Sequence, residues 1–179
     1  MSSSLVRRGI CHVFGNDIPL DEGVMPFKYA IGRVTDPKEL LPHLFETIDP
    51  TFASRVRQGD LVIAGNNFGC GKAHMQGFIA MAALGMGVLC GSMPYKSHRG
   101  AIARGVPVLT GCDNVTAFAC TGDDLEIDFA RGHAMNHTQG TQTQFAPLAP
   151  ILAELVAQGG LRGALTSYLQ AHPHMREPA

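Results

Sequence analysis

The chain has 179 residues, a length typical of one compact domain. Apolar residues make up 45% of it and charged residues 16%, so it has enough apolar side chain for a core and no compositional sign of disorder. The formal net charge of −1 and the lack of any basic run argue against nucleic acid or an anionic membrane as a partner.

Neither a targeting segment nor a membrane span is predicted. Arg7 and Arg8 are not followed by the apolar stretch of a signal peptide, and no segment approaches the roughly 20 apolar residues of a spanning helix. We therefore expect a cytoplasmic protein. The five cysteines are an odd number and form no Cys-x-x-Cys pair, which argues against a disulfide framework and against a zinc or iron–sulfur site within this chain.

The first half of the chain predicts short elements. Apolar pieces such as ICHVF and EGVMPFKYAIG suggest strands and loops. PKELLPHLFETI predicts a short helix broken by Pro42, and DPTFASRV predicts the start of another. GDLVIAG is typical of a buried strand. A glycine-rich loop follows it, and then MQGFIAMAALGM has the apolar spacing of a helix.

The second half begins with the same alternation. GVLCG and VPVLTG predict strands on either side of a helix in SMPYKSHRGAIARG, which implies right-handed crossovers and a parallel core sheet. DDLEIDFARGHAMNHTQGTQTQF predicts antiparallel strands with a turn at 130–132, and PLAPILAELVAQGGLRGALTSYLQAH predicts two helices separated by Gly159 and Gly160. We expect one domain over residues 1–171 and a flexible tail over 172–179.

The glycine-rich loop, AGNNFGCGKAHMQG, is not a standard nucleotide site. A Walker loop would need four residues between its glycines and a hydroxyl after the lysine, but five residues separate Gly65 from Gly71, and Ala73 follows Lys72. A dinucleotide fingerprint would need glycine in place of His74 and an acidic residue about 20 positions later. Neither requirement is met.

The loop instead suits an organic anion. Small residues let a ligand approach the backbone, and the following helix offers free amides and a positive dipole end, so a carboxylate fits. The alternative is a tight strand-to-helix turn without a ligand. Lys72 and His74 favour the anion, because each destabilises a helix N-terminus by roughly 0.3–1 kcal/mol when charged.

The segment GDLVIAGNNFGCGKAHMQGFIAMAALGMGVL resembles the strand, loop and helix of the small swivel-domain subunits of 3-isopropylmalate dehydratase and homoaconitase, relatives of aconitase domain four. Their loop commonly reads Asn-Phe-Gly-Cys-Gly-Ser-Ser-Arg-Glu. DPTFASRVRQGD, GVPVLTG, NHTQGTQTQFAPL and PILAELVAQGGL follow in the family's order, so the resemblance covers nearly the whole chain. It implies an α/β fold, a three-layer β/β/α swivel domain with a mixed, partly parallel sheet.

The resemblance also implies a reaction and a partner. Such small subunits belong to aconitase-like hydro-lyases that dehydrate or hydrate a small hydroxy di- or tricarboxylic acid. The small subunit holds no metal, and the large subunit carries a [4Fe–4S] cluster that acts as a Lewis acid on the substrate hydroxyl. We therefore expect no cofactor in this chain, a cluster in the partner, and a hetero-oligomer of the two subunits.

One departure from the family pattern concerns its Ser-Ser-Arg, which is Lys72-Ala73-His74 here. The family's first serine is the base, and its arginine binds a substrate carboxylate with a bidentate fork. In an active enzyme, Lys72 replaces the serine if partial burial and the helix N-terminus favour its neutral amine, and His74 either binds carboxylate as a cation or is itself the acid–base group. Alternatively, the chain is a catalytically altered binding or regulatory subunit. The retained Asn67 and Gly69–Gly71 favour the active enzyme. The changed residues 72–74 favour a hydroxy acid other than the family's standard substrate.

The predicted site follows from this comparison. Lys72 and His74 are the predicted catalytic residues, and the predicted substrate-binding residues are Asn67, Gly69, Cys70, Gly71, Ala73, Arg99 and Lys28. Arg99 matches a common family arginine, whereas Lys28 stands where the family usually has one. The family's Asp-Thr-Asp segment appears here as Leu20-Asp21-Glu22, to which we assign no role. The histidines expected to be structural are His12, His43, His133 and His137.

Overall fold

A computed structural model describes residues 5–175. Over this range seven strands form one mixed sheet in the order β4-β3-β2-β1-β5-β6-β7. The strands are β1 (Val6–Phe14), β2 (Leu61–Ala64), β3 (Gly87–Cys90), β4 (Val108–Leu109), β5 (Asp124–Asp128), β6 (His133–Asn136) and β7 (Thr141–Gln144). The predicted α/β fold with a mixed, partly parallel sheet is confirmed.

Strand β1 joins the two parts of the sheet. Its residues 11–14 pair in parallel with β2, with Cys11 opposite Leu61. Its residues 6–10 pair antiparallel with β5, with Val6 opposite Asp128. The parallel part therefore comprises β1 to β4, and the antiparallel part extends from β1 through β5, β6 and β7.

The helices surround this sheet and include both predicted crossovers. They are α1 (Phe27–Ile31), α2 (Pro37–Leu40), α3 (Phe52–Arg55), α4 (Gln76–Ala83), α5 (Tyr95–Ala103), α6 (Val115–Phe118), α7 (Pro150–Ala157) and α8 (Gly160–Ala171). Helix α4 connects β2 to β3, and α5 connects β3 to β4. Two 3-10 helices occupy Leu41–His43 and Pro173–Met175.

One segment differs from the sequence-based prediction. EGVMPFKYAIG contains the helix α1, so the prediction of strands and loops alone is wrong for residues 27–31. Pro26 starts this helix, because its φ of −58° suits the position before a first turn and its carbonyl accepts a hydrogen bond from the amide of Tyr29 at 3.1 Å. The break at Pro42 is confirmed, since α2 ends at Leu40 and a 3-10 turn follows.

The core lies around the parallel strands. All residues of β2 and β3 are buried, as expected of strands covered on both faces. A cluster of aromatic rings extends the core beside β1, where Phe45 packs 4.4 Å from Phe14 and 4.7 Å from Phe52, measured between ring centroids. This packing fixes the carboxyl ends of β1 and β2, from which the loops of the candidate site extend.

The C-terminal segment of the described chain follows helix α8. The predicted tail at 172–179 includes the 3-10 turn Pro173–Met175, whereas residues 176–179 lie outside the described residues. The domain limits remain a prediction. Between residues 5 and 175, no helix has the length and apolar character needed to cross a bilayer.

Candidate active site

The loop after β2 has a rigid first half. Its backbone amides donate to partners on the loop after β1 and on the segment after β3, which holds it from two sides. These bonds are Gly65 to the Gly15 carbonyl (3.0 Å), Asn66 to Asn16 Oδ1 (2.7 Å), Asn67 to Ser92 Oγ (2.8 Å), Phe68 to the Ser92 carbonyl (3.0 Å) and Gly69 to the Ile18 carbonyl (2.7 Å). These hydrogen bonds therefore fix the loop from Gly65 to Gly69.

Gly69 marks the tightest contact of the loop with α5. Its φ is +78°, and a Cβ placed there would lie 3.2 Å from the Cβ of Ser97. The buried Ser97 hydroxyl donates a hydrogen bond to the Gly69 carbonyl at 2.5 Å. Only glycine combines this left-handed conformation with so close an approach to a helix.

The second half of the loop offers unused backbone donors. Within residues 5–175, the amides of Gly71, Lys72 and Ala73 have no acceptor. The Gly69 amide donates to the Ile18 carbonyl, and the Cys70 carbonyl accepts a hydrogen bond from the Leu20 amide at 3.1 Å. Of the predicted amide seat, the three donors from 71 to 73 are therefore open to a ligand.

His74 follows these amides and is held by a carboxylate. Its Nδ1 lies 2.8 Å and 3.0 Å from the two carboxylate oxygens of Asp21. The Phe27 ring packs beside the imidazole at a centroid distance of 5.3 Å. The His74 amide donates to the Lys72 carbonyl at 2.9 Å, so the two predicted catalytic residues share one tight turn. The His74 side chain is 39% exposed, which leaves it accessible.

The sequence analysis assigned no role to Asp21, although the structure places it against His74. A compact turn fixes it: the Val24 amide donates to the Pro19 carbonyl at 2.9 Å, and the Met25 amide donates to the Leu20 carbonyl at 3.0 Å. The resemblance of this segment to the family's Asp-Thr-Asp was the available signal. That signal could not show the contact with His74, which lies 53 positions away in sequence.

Lys72 and Asn67 differ in how much freedom their side chains have. Lys72 is exposed in the separate chain, so the described residues of this chain do not supply the partial burial that would favour its neutral amine. The Asn67 side-chain amide donates to Asp17 Oδ1 at 2.7 Å and thus braces the loop. Its carbonyl oxygen has no partner among the described residues.

Lys28 and Arg99 lie on helices beside the loop. Lys28 is exposed on α1, where its Nζ is 3.8 Å from Glu46. Arg99 is exposed on α5 and stacks 5.6 Å above the centroid of the Tyr95 ring. Neither has a contact with His74 in the part of the chain that the structure describes, and their substrate-binding roles remain predictions.

A polar cavity of about 430 Å³ lies at the same edge of the sheet. Its lining includes Gly65 after β2, Gly91 after β3 and Cys112 after β4, so it sits at the carboxyl ends of the parallel strands. Asn66 of the rigid half-loop also lines it, whereas Lys72 and His74 do not.

The four histidines that were expected to be structural each lie beside a polar side chain. The partners are Asp60 for His12 (2.9 Å), Glu46 for His43 (2.5 Å), Gln142 for His133 (3.4 Å) and Glu126 for His137 (3.3 Å).

All five cysteines are free, and burial raises the pKa of the Cys90 thiol to about 12. Across residues 5–175, no three His, Cys, Asp or Glu side chains are grouped so as to hold a metal ion.

Comparison with known proteins gives a consistent group of relatives. The chain is 38% identical over 158 residues to the 3-isopropylmalate dehydratase small subunit of Moorella thermoacetica, covering 88% of this chain and 93% of the relative. It is 37% identical over 149 residues to small subunit 1 of the same enzyme from Archaeoglobus fulgidus, covering 83% of this chain and 89% of that one.

A solved structure supports the same grouping. The structure of 3-isopropylmalate dehydratase from Methanocaldococcus jannaschii superposes with a TM-score of 0.84 at 28% identity, covering 96% of this chain and all of that one. A scan against protein-family models gave no match.

Proposed function

We propose a function from one premise: the chain belongs to the family of 3-isopropylmalate dehydratase small subunits, which are components of a hydro-lyase. We infer that it joins a large subunit to dehydrate or hydrate a small hydroxy di- or tricarboxylic acid. In this complex the loop after β2 binds a carboxylate of the substrate and presents the group that moves the carbon-bound proton.

One observation carries this proposal. The open amides of Gly71, Lys72 and Ala73 lie in the same short segment as an exposed ammonium and an imidazole. Backbone amides and a lysine ammonium together suit an anion, because charge-assisted hydrogen bonds to a carboxylate are shorter and stronger than neutral ones. Water can satisfy exposed amides in any loop, so it is their position beside two basic side chains that favours an anion here.

The exposure of this segment supports the need for a partner. Gly71 and Lys72 are exposed and His74 is about two-fifths exposed, so water has free access in the separate chain. Proton transfer from carbon is favoured where water is excluded and the polar groups are fixed. We therefore expect the large subunit to close over residues 71–74.

The leaving hydroxyl needs chemistry that the described part of this chain does not offer. A [4Fe–4S] cluster in the large subunit would supply a Lewis acid for it. The residues of this chain would do the remaining work. The amides of 71–73 and Lys72 hold a carboxylate, and the rigid half-loop up to Gly69 fixes their distance from the sheet.

The substrate we propose is a hydroxy acid other than the one for which the relatives are named. The Arg of the family loop is replaced by His74, and a bidentate clamp is lost with it. A lysine ammonium is a compact point charge without a preferred plane, so carboxylate recognition at this loop is less directional. This change favours a substrate whose carboxylate sits differently in the site.

The test is reconstitution with the large subunit encoded beside this chain's gene. The complex is purified without oxygen and assayed by the ultraviolet absorbance of the unsaturated acid, with 3-isopropylmalate and a panel of 2- and 3-hydroxy di- and tricarboxylates. We expect turnover of one panel member, loss of turnover in His74→Ala, a lower kcat/KM in Lys72→Ala, and unchanged assembly in both variants. Lys38→Ala, which removes an exposed lysine on α2, is the matched control.

Two outcomes would contradict the proposal. A cluster-loaded complex that turns over none of these acids would favour the binding or regulatory subunit. A complex in which Lys72→Ala and His74→Ala keep full turnover would place the chemistry outside this loop.

A further inference from the structure

The contact between Asp21 and His74 limits the protonation of the imidazole. Nδ1 lies within hydrogen-bond distance of both oxygens of Asp21, at 2.8 Å and 3.0 Å. An ionised carboxylate offers only acceptors, so Nδ1 must carry the hydrogen of this bond. In the neutral ring the other nitrogen, Nε2, is then an acceptor with a free lone pair.

The surroundings leave that lone pair available. Nε2 has no hydrogen-bond partner among the described residues, and it lies on the side of the ring away from Asp21. Phe27 packs beside the imidazole with a 39° angle between the rings, which restricts rotation of the side chain. His74 is therefore oriented through Nδ1 and open at Nε2.

The same contact makes His74 a poor cationic clamp. A protonated His74 would form an ion pair with Asp21, so a substrate carboxylate would meet a nearly neutral pair rather than a free positive charge. Lys72 has no ion-pair partner in the described range and is exposed, so its side chain is free to contact a substrate carboxylate.

We propose that His74 is the general base of this subunit, that Asp21 is the positioning residue that fixes its tautomer, and that Lys72 binds a substrate carboxylate. This inference rests on the proposed function. In the dehydration direction, Nε2 of His74 takes the proton from the substrate carbon. The electron pair of the broken C–H bond forms the double bond, and the hydroxyl leaves with its own bonding pair on the side of the large subunit.

The first experiment measures the tautomer in the full-length small subunit and does not depend on turnover. Nitrogen-15 correlation spectra of the histidine rings, with His74 assigned by its loss in His74→Gln, show which ring nitrogen carries hydrogen. We expect a protonated Nδ1 and a bare Nε2 in the wild type above the pH at which the ring is cationic. In Asp21→Ala we expect the hydrogen to move from Nδ1 toward Nε2, because the acceptor that holds it on Nδ1 is removed.

The matched control for this spectrum is Glu22→Gln. It removes a carboxylate next to Asp21 in sequence, while the glutamine oxygen can still accept the bond that the Phe27 amide now donates to Glu22 Oε1 at 2.9 Å. We expect the wild-type tautomer in this variant. A bare Nδ1 in the wild type, or an unchanged tautomer in Asp21→Ala, would overturn the role of Asp21.

The second experiment separates the roles of the three side chains in the reconstituted complex. We expect Asp21→Ala and His74→Gln to lower kcat by about 10²–10⁴-fold with KM within a few-fold of wild type, the usual effect of losing general base catalysis. We expect Lys72→Ala to raise KM more than it lowers kcat, Lys72→Arg to recover most of that loss, and Glu22→Gln to behave as wild type.

The kinetic results also distinguish the two levels of proposal. If the wild-type complex turns over no hydroxy acid, the proposed function fails, and the tautomer spectrum still tests the role of Asp21. If the wild type is active but Lys72→Ala loses kcat while His74→Gln changes only KM, Lys72 is the base and this inference is wrong.

Discussion

Two glycines of the candidate loop provide a matched pair for testing how α5 supports it. Gly69 and Gly71 have nearly the same left-handed φ, +78° and +80°. They differ in crowding, because a Cβ at Gly69 would lie 3.2 Å from the Ser97 Cβ, whereas a Cβ at Gly71 would meet nothing closer than Pro19 at 3.9 Å. Alanine at either position has the same backbone strain, and only at Gly69 does it also press on a helix.

The expected losses follow from these two terms. A left-handed alanine costs roughly 1–2 kcal/mol. About 0.4–1 kcal/mol of this is offset because alanine restricts the unfolded chain. We expect Gly71→Ala to lower the free energy of unfolding by about 1 kcal/mol. Overpacking against Ser97 adds roughly 1–3 kcal/mol, so we expect Gly69→Ala to lower it by about 2–4 kcal/mol.

Urea unfolding of the small subunit, followed by circular dichroism, measures both losses. In a double-mutant cycle, Ser97→Gly should recover part of the loss at Gly69, because it removes the crowded carbon, and should recover none at Gly71. Equal losses in the two alanine variants, or no coupling between residues 69 and 97, would refute the view that close packing on α5 fixes the loop.

Three further predictions concern the rest of the chain. In the native protein a thiol reagent should label Cys70 and Cys120 rapidly and the three buried cysteines only after unfolding. Burial raises the pKa of Cys11 and Cys112 to about 11 and that of Cys90 to about 12. Fast labelling of any of these three would contradict the buried core. Asp60→Ala should lower the free energy of unfolding by about 3–5 kcal/mol, since it leaves buried His12 and two backbone amides without their acceptor; a urea midpoint near wild type would disprove this. Hydrogen bonds from the backbone amide of Cys120 and then from the side-chain amides of Asn136 and Gln139 hold the pKa of Asp123 below its usual value. The contribution of Asp123 to stability is therefore present above about pH 4 and is lost as the pH falls through the lower folded-state pKa. Asp123→Asn should weaken the dependence of the thermal midpoint on acid pH, and an unchanged dependence would count against this reasoning.

The parallel part of the sheet could be predicted because its signal is local. GDLVIAG and GVLCG are continuous apolar runs, and a strand covered on both faces needs an apolar residue at every position. The division of β1 between two sheet partners could not be predicted in this way. Half of its pairing is with β5, more than a hundred positions later, and the register of that pairing depends on tertiary packing.

The candidate site shows the same limit. The loop was found from its glycines and basic residues, since a chain must use glycine where φ is positive and a helix lies close, as at Gly69. The exposure of Lys72 in the separate chain could not be predicted, because burial depends on neighbours that the local sequence does not contain. Asp21 was found only through a hydrogen bond between two loops.

That hydrogen bond gives a physical account of how this loop departs from its family. In the family pattern the position of Lys72 holds the base and the position of His74 holds the carboxylate-binding cation. With Asp21 on Nδ1, the imidazole is better suited to accept a proton than to bind an anion, while the exposed lysine beside open amides is suited to bind one. In the roles that we propose, the two positions exchange functions, and the loop keeps one base and one cation. With the same proposed roles, a change at only one of the two positions would leave the loop with two cations or with none.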